Sequence, residues 1–131
     1  MYRFLEHTAE LGLELEAGSL VELLEEAARA FAELVAPGAC GVPASHSLQL
    51  ANVDGQTLLV DWLNELVYLA ETEAFVPQRL TRFERAAAGL LVEIAGFVDA
   101  PRPLVKAATY HDLELSESAA GIWRGRVIFD V

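Results

Sequence analysis

The stretch FVPQRLTRFERAAAGLLVEIAGFV, Phe75 to Val98, decides the fold. It contains two strand-like runs, FVPQRLTRFERA and LLVEIAGFV, with only a short Ala/Gly turn between them. A connection that short joins antiparallel neighbours, whereas a parallel pair needs a crossover of about a dozen residues. Toward the C-terminus the pattern continues with LVKAATYHDLEL and IWRGRVIFDV, set off by DAPRP and SESAAG, whose Pro, Gly and Ser content marks turns. Four strands in succession imply mostly antiparallel pairing. No regular strand–helix alternation and no Gly-rich phosphate loop is present, which argues against a doubly wound nucleotide-binding fold.

Toward the N-terminus the period changes. Residues 1–6 and 11–17 read as short strands, the second with Leu11, Leu13 and Leu15 on one face and Glu14 and Glu16 on the other. SLVE then starts a helix, with Ser19 as cap and Glu22 closing a capping box. Leu20, Leu23, Leu24, Ala27, Phe31 and Leu34 follow at helical spacing, and Pro37 and Gly38 end the run. SHSLQLANV reads as a third strand, and a second helix runs from about Thr57 to Glu73, burying Leu58, Leu59, Trp62, Leu63, Leu66 and Val67. The expected architecture is α+β: a two-layer domain in which a mostly antiparallel sheet is covered on one face by two amphipathic helices.

At 131 residues and 53% hydrophobic content the chain suffices for one domain, residues 1–131, with one core. No apolar run reaches the about eighteen residues of a membrane span, and the N-terminus lacks a basic segment followed by an apolar one, so a cytoplasmic protein is expected. Cys40 has no second thiol and no His at zinc spacing, which leaves neither a disulfide nor a Cys-based zinc site. The net charge of −11 disfavours strong direct binding to nucleic acid and suits attraction of cations or docking on a basic protein. Eight of the nine basic residues are arginines, and Lys106 is the lone lysine.

Three polar stretches sit against apolar strand sequence: HTAELG (His7–Gly12), VKAATYHDLE, and the closing IFDV. If the last strand anchors Val131, its terminal carboxylate lies beside Asp130, and a third carboxylate would complete an all-oxygen site of the kind that hard cations select. Spacing leaves open whether Glu10 is the third.

HTAELG, SLVELLEEAARAFAEL, LLVDWLNELVYLAE, VKAATYH and WRGRVIFDV, taken in this order, resemble the archease family over essentially the whole chain. The resemblance implies an accessory protein, itself not an enzyme, that activates an RtcB-type RNA ligase in tRNA splicing and RNA repair. It would promote formation of the ligase's covalent histidine–GMP intermediate and sustain repeated turnover, the GTP and Mn2+ belonging to the ligase. It also implies a chaperone-like role toward a tRNA cytosine methyltransferase. The family's divalent cation, expected to be Ca2+ with Mg2+ or Mn2+ as alternatives, maps onto Glu10, Asp130 and Val131. The first ligand departs from the usual Asp by one methylene. Lys106, His7 and His111 are activation candidates. For Lys106 the plain alternative is a stem packed on the sheet with its charge in water; for the histidines it is a hydrogen bond within the sheet, and Thr8 with His7 is expected to hold the first turn. His46 receives no role. A rival reading is metal-assisted hydrolysis with Lys106 or His111 assisting, against which no nucleophile–base pair stands at telling spacing.

Overall fold

The computed structural model describes residues 1–7, 10–38, 40–51, 57–87 and 89–131, without the side chains of His7 and Ala86. In chain order the elements are β1 (Tyr2–His7), β2 (Glu10–Ala17), α1 (Leu20–Val35), β3 (Val42–Leu50), α2 (Leu58–Glu73), β4 (Phe75–Ala86), β5 (Gly89–Val98), β6 (Ala107–Glu117) and β7 (Trp123–Asp130). The α+β reading and the antiparallel pairing hold throughout. The strands divide into two sheets, one of order β1-β2-β7-β6 and one of order β3-β5-β4. Both helices pack against strands of both sheets, so the helical pair fills the space that the sheets share.

The local chemistry explains the elements. Ser19 caps α1 by accepting from the Glu22 N–H at 3.2 Å, and the Glu22 carboxylate reaches back to the Gly18 N–H, one residue before the cap. The apolar stripe of α1 is buried from Leu20 to Val35, including Ala27, Ala28 and Ala30, whose small side chains allow close approach. Trp62 is fully buried in α2, and its indole N–H donates to the Leu24 carbonyl of α1 at 2.9 Å, which satisfies the one polar atom of an otherwise apolar ring. On β7 a Cβ at Gly125 would meet the Leu59 side chain at 3.0 Å, so glycine leaves that side chain of α2 its place on the four-stranded sheet.

Several boundaries differ from the sequence reading. β3 begins at Val42, three residues before the expected Ser45, because its ladder with β5 runs unbroken from Val42 opposite Val98 to Leu50 opposite Leu90. Asn52 and Val53, expected in the same strand, lie outside the described residues, as does Thr8. β2 begins at Glu10, and this places Glu10 inside the ladder. β6 begins at Ala107 instead of Leu104 and is interrupted by a register shift between Thr109 and Glu114, where Asp112 adopts φ +52°.

Candidate functional site

The site follows from the register of β2 on β7. Leu13, Leu15, Val127 and Phe129 point into the core, so strand alternation sends Glu10, Glu14, Glu16, Arg124, Arg126 and Asp130 to the outer face. Across that face Glu14 stands opposite Arg126 and Glu16 opposite Arg124. Arg3 on β1 pairs with Glu14, and Arg126 pairs with Glu114 on β6 at 3.1 Å, giving a row of alternating charge across all four strands. The hydrogen bond from Arg3, aided by the charges of Arg3 and Arg126, lowers the Glu14 carboxyl below its ordinary value.

One row breaks this pattern. Glu10 stands directly opposite Asp130, two carboxylates in register on neighbouring strands. Like charges in that position repel, and among the described residues neither carboxylate has an ion-pair partner. Val131 follows Asp130 at the rim. On the other side of β7, Ala107 is the register partner of Asp130, and the Lys106 N–H donates to the Asp130 carbonyl at 2.9 Å. The Lys106 side chain is exposed. His7 pairs with Glu10 from β1, which places it at the next position of the same row.

The structure therefore brings Glu10, Asp130, Val131, Lys106 and His7 to one end of one sheet. It leaves His111 apart, exposed in the interrupted stretch of β6 with its Nε2 3.4 Å from the Asp112 carboxylate. Among the described residues no three His, Cys, Asp or Glu side chains gather closely enough to hold an ion. The expected ligands Glu10, Asp130 and Val131 thus share one strand end, with Glu10 and Asp130 in register. The donor chemistry fits a hard cation, being all oxygen and lacking a counter-charge.

An open groove of about 600 Å³ lies elsewhere on the same face, over Arg3, Glu14, Glu16, Glu114, Arg124 and Arg126. Four residues along the strand separate its Glu14 from Glu10, about 13 Å. Its charged side chains are tied up in ion pairs with one another.

Sequence reasoning missed Asn64. From α2 its Nδ2 donates to the Ala108 carbonyl at 3.1 Å and its Oδ1 accepts from the Ala108 N–H at 2.8 Å, so one side-chain amide replaces a missing neighbour strand at the β6 edge. One turn earlier, Asp61 accepts from the Tyr110 hydroxyl at 2.9 Å, and that bond raises the Tyr110 phenol above its ordinary value. Its sequence trace, a polar residue beside the buried stripe of Trp62, Leu63, Leu66 and Val67, is the same as that of any helix residue facing water. These contacts fix the strand from which Lys106 reaches Asp130.

Fold and site together define a small α+β domain of two helices and two antiparallel sheets, with an acidic strand end at its rim. The sequence model of the archease protein family (MTH1598/TM1083) matches residues 2–131. The chain belongs to the archease family. It is 31% identical over 140 residues to protein archease of Methanosarcina acetivorans, covering 99% of this chain and 95% of that protein. A 39% identical stretch of 75 residues, 56% of this chain and 55% of the relative, relates it to protein archease of Archaeoglobus fulgidus. The solution structure of Methanobacterium thermoautotrophicum protein 1598 superposes with a TM-score of 0.77 at 26% identity, covering 99% of this chain and 98% of that one. The crystal structure of a Thermotoga maritima archease, described as a possible chaperone, superposes at 0.68 and 24% identity, covering 100% and 98%.

Proposed function

We propose that this chain is a non-catalytic activator of an RtcB-type RNA ligase in tRNA splicing and RNA repair, and that its acidic strand end acts with a divalent cation, Ca2+ first and Mg2+ or Mn2+ as alternatives. The observation that carries the reading is the Glu10–Asp130 pair. It is a register row of two like charges on a face where the other charged rows are complementary, and the ligase as partner is what the resemblance to archeases implies. The ladder holds the two residues opposite each other, so a cation has only their side chains left to order.

A bound cation would supply a compact positive charge able to position phosphate oxygens. The chain's own residues do the rest. The β2–β7 ladder sets Glu10 and Asp130 opposite each other at the rim, and their carboxylates are the donors offered there. Lys106, tethered by its backbone to Asp130 and exposed, carries an ammonium at the same end of the sheet, suited to a phosphate or a partner carboxylate. Since placement and charge dominate phosphoryl-type transfer, a small rearrangement at a ligase's mouth suffices for a large change in guanylylation rate. The GTP and Mn2+ of that reaction remain the ligase's. Such a protein works in the cytoplasm, and among the described residues no helix is long and apolar enough to cross a membrane.

The test is multiple-turnover RNA ligation by the RtcB-type ligase of the same organism, with and without substoichiometric amounts of this chain. Sustained turnover that is lost with folded Asp130→Ala is the expected result. Equal turnover with and without the chain refutes the reading. A second reading, a chaperone or adaptor for a tRNA cytosine methyltransferase, draws on the net charge of −11, which complements a basic RNA-binding surface. Co-purification of such a client from a native extract would favour it.

A further inference from the structure

The two sheets have four free edges, and three are guarded. The β6 edge is closed by the Asn64 amide and by the register shift between Thr109 and Glu114. On β4 the ladder is broken twice, Pro77 removes a donor, Arg79, Arg82 and Arg85 add charge, and the Glu25 carboxylate of α1 accepts the Leu80 N–H at 2.9 Å. β1 has only six residues and carries Arg3 and Glu6. These are the devices by which sheets avoid pairing with other chains.

β3 lacks them beyond its second residue. Its nine residues pair with β5 without a bulge. Pro43 has no N–H, so it fits where the amide faces away from β5. Ser45, Ser47 and Gln49 share its parity, and ladder alternation turns their N–H and C=O groups to the same free side. Their side chains are exposed, and among the described residues no backbone group outside β5 bonds to this strand. Val42, 70% exposed, and Val98, 41% exposed, extend the edge with uncovered apolar surface.

We infer that β3 is a self-association edge, on which a second copy of this chain adds its own β3 in antiparallel register and joins two three-stranded sheets into one of six strands. The charge distribution selects this occupant. A protein of net charge −11 repels its own copies over most of its surface. From Leu34 to Val53 the sequence carries no Asp, Glu, Lys or Arg, and β3 lies inside that run. It is a place where two copies approach without facing carboxylates. A two-fold antiparallel pairing is also self-complementary: Ser, Gln and backbone groups meet their own kind along the edge, and the inward Ala44, Leu48 and Leu50 stay over the core. The inference is independent of the ligase and of the cation.

Sedimentation equilibrium over a concentration series tests it, combined with amide exchange at low and high protein concentration. The expected result is a mass rising from monomer toward dimer, with the Ser45, Ser47 and Gln49 amides exchanging more slowly as concentration increases. Ser47→Pro removes an outward donor and leaves the β5 ladder intact, so it should weaken association by about tenfold or more at unchanged circular dichroism. Ser47→Lys should do the same through charge, and it decides the question should the proline variant fail to fold. A monomer at every concentration overturns the inference. So does a dimer that the folded Ser47 variants form as tightly as the parent.

Discussion

Replacing Asn64 by Ala removes both hydrogen bonds to Ala108, the 3.1 Å bond to its carbonyl and the 2.8 Å bond from its N–H. Ala108 is 4% exposed, so water has little access to the groups left behind. An unsatisfied buried group costs about 1–3 kcal/mol, and the carbonyl is the cheaper of the two. Together they amount to about 3 kcal/mol, or a fall of roughly 10 °C in melting temperature for a domain of this size. Asn64→Asp separates the two bonds. It keeps an acceptor for the Ala108 N–H but sets a carboxylate oxygen against the Ala108 carbonyl, so its penalty at neutral pH should equal or exceed that of Ala. Below the carboxylate range the protonated acid can donate, and the penalty should shrink. Thermal melts of the three proteins at pH 7 and at pH 4, with amide exchange at Ala108, provide the measurement. A melting temperature for Asn64→Ala within about 2 °C of the parent would mean that the amide does not hold the β6 edge.

Further outcomes follow from the same contacts. Trp62→Phe removes the indole donor and strands the Leu24 carbonyl in the core, with an expected loss of about 2–4 kcal/mol in urea denaturation. Gly125→Ala sets a methyl 3.0 Å from Leu59 and should destabilise by about 1–3 kcal/mol, and the double variant with Leu59→Ala should lose less than the sum of the two single losses. The Glu14 carboxyl is lowered by Arg3, so its contribution to stability is present above the unfolded value of 4.5 and is lost as pH falls through its folded value. Parent and Glu14→Gln should therefore differ in denaturation midpoint at pH 7 and converge as the pH falls below the folded value of Glu14. Asp61→Asn should bring the Tyr110 phenol back toward 10.0 in an ultraviolet pH titration.

Much of the architecture was legible in the sequence because the periods are strong. The leucine stripe of α1, the alternation of Leu11, Leu13 and Leu15 in β2, and the close spacing of β4 and β5 each point to one element and one buried face. The division into two sheets was not legible, since strand alternation fixes which side of a strand is apolar but not which strand lies beside it. The interruption of β6 was hidden for a related reason: YHDL reads as continuing strand, and only the partner β7 shows that Glu114 takes the position opposite Arg126. At the site, the proximity of Asp130 to Val131 is covalent and Glu10 came from the family motif, but their meeting depends on the register of strands more than a hundred residues apart. Asn64 was unreadable because a polar residue in an amphipathic helix ordinarily faces water, and its partner is a backbone group.

The opposed carboxylates are tested most directly by calorimetric titration of metal-stripped protein with Ca2+ and, separately, Mn2+, for the parent, Glu10→Ala and Asp130→Ala. Removing either carboxylate also relieves the repulsion across the ladder, so both variants should be at least as stable as the parent without metal. The account predicts one saturable site in the parent, abolished or weakened at least about tenfold in each folded variant. No saturable heat in the parent, or equal binding by all three proteins, would contradict it.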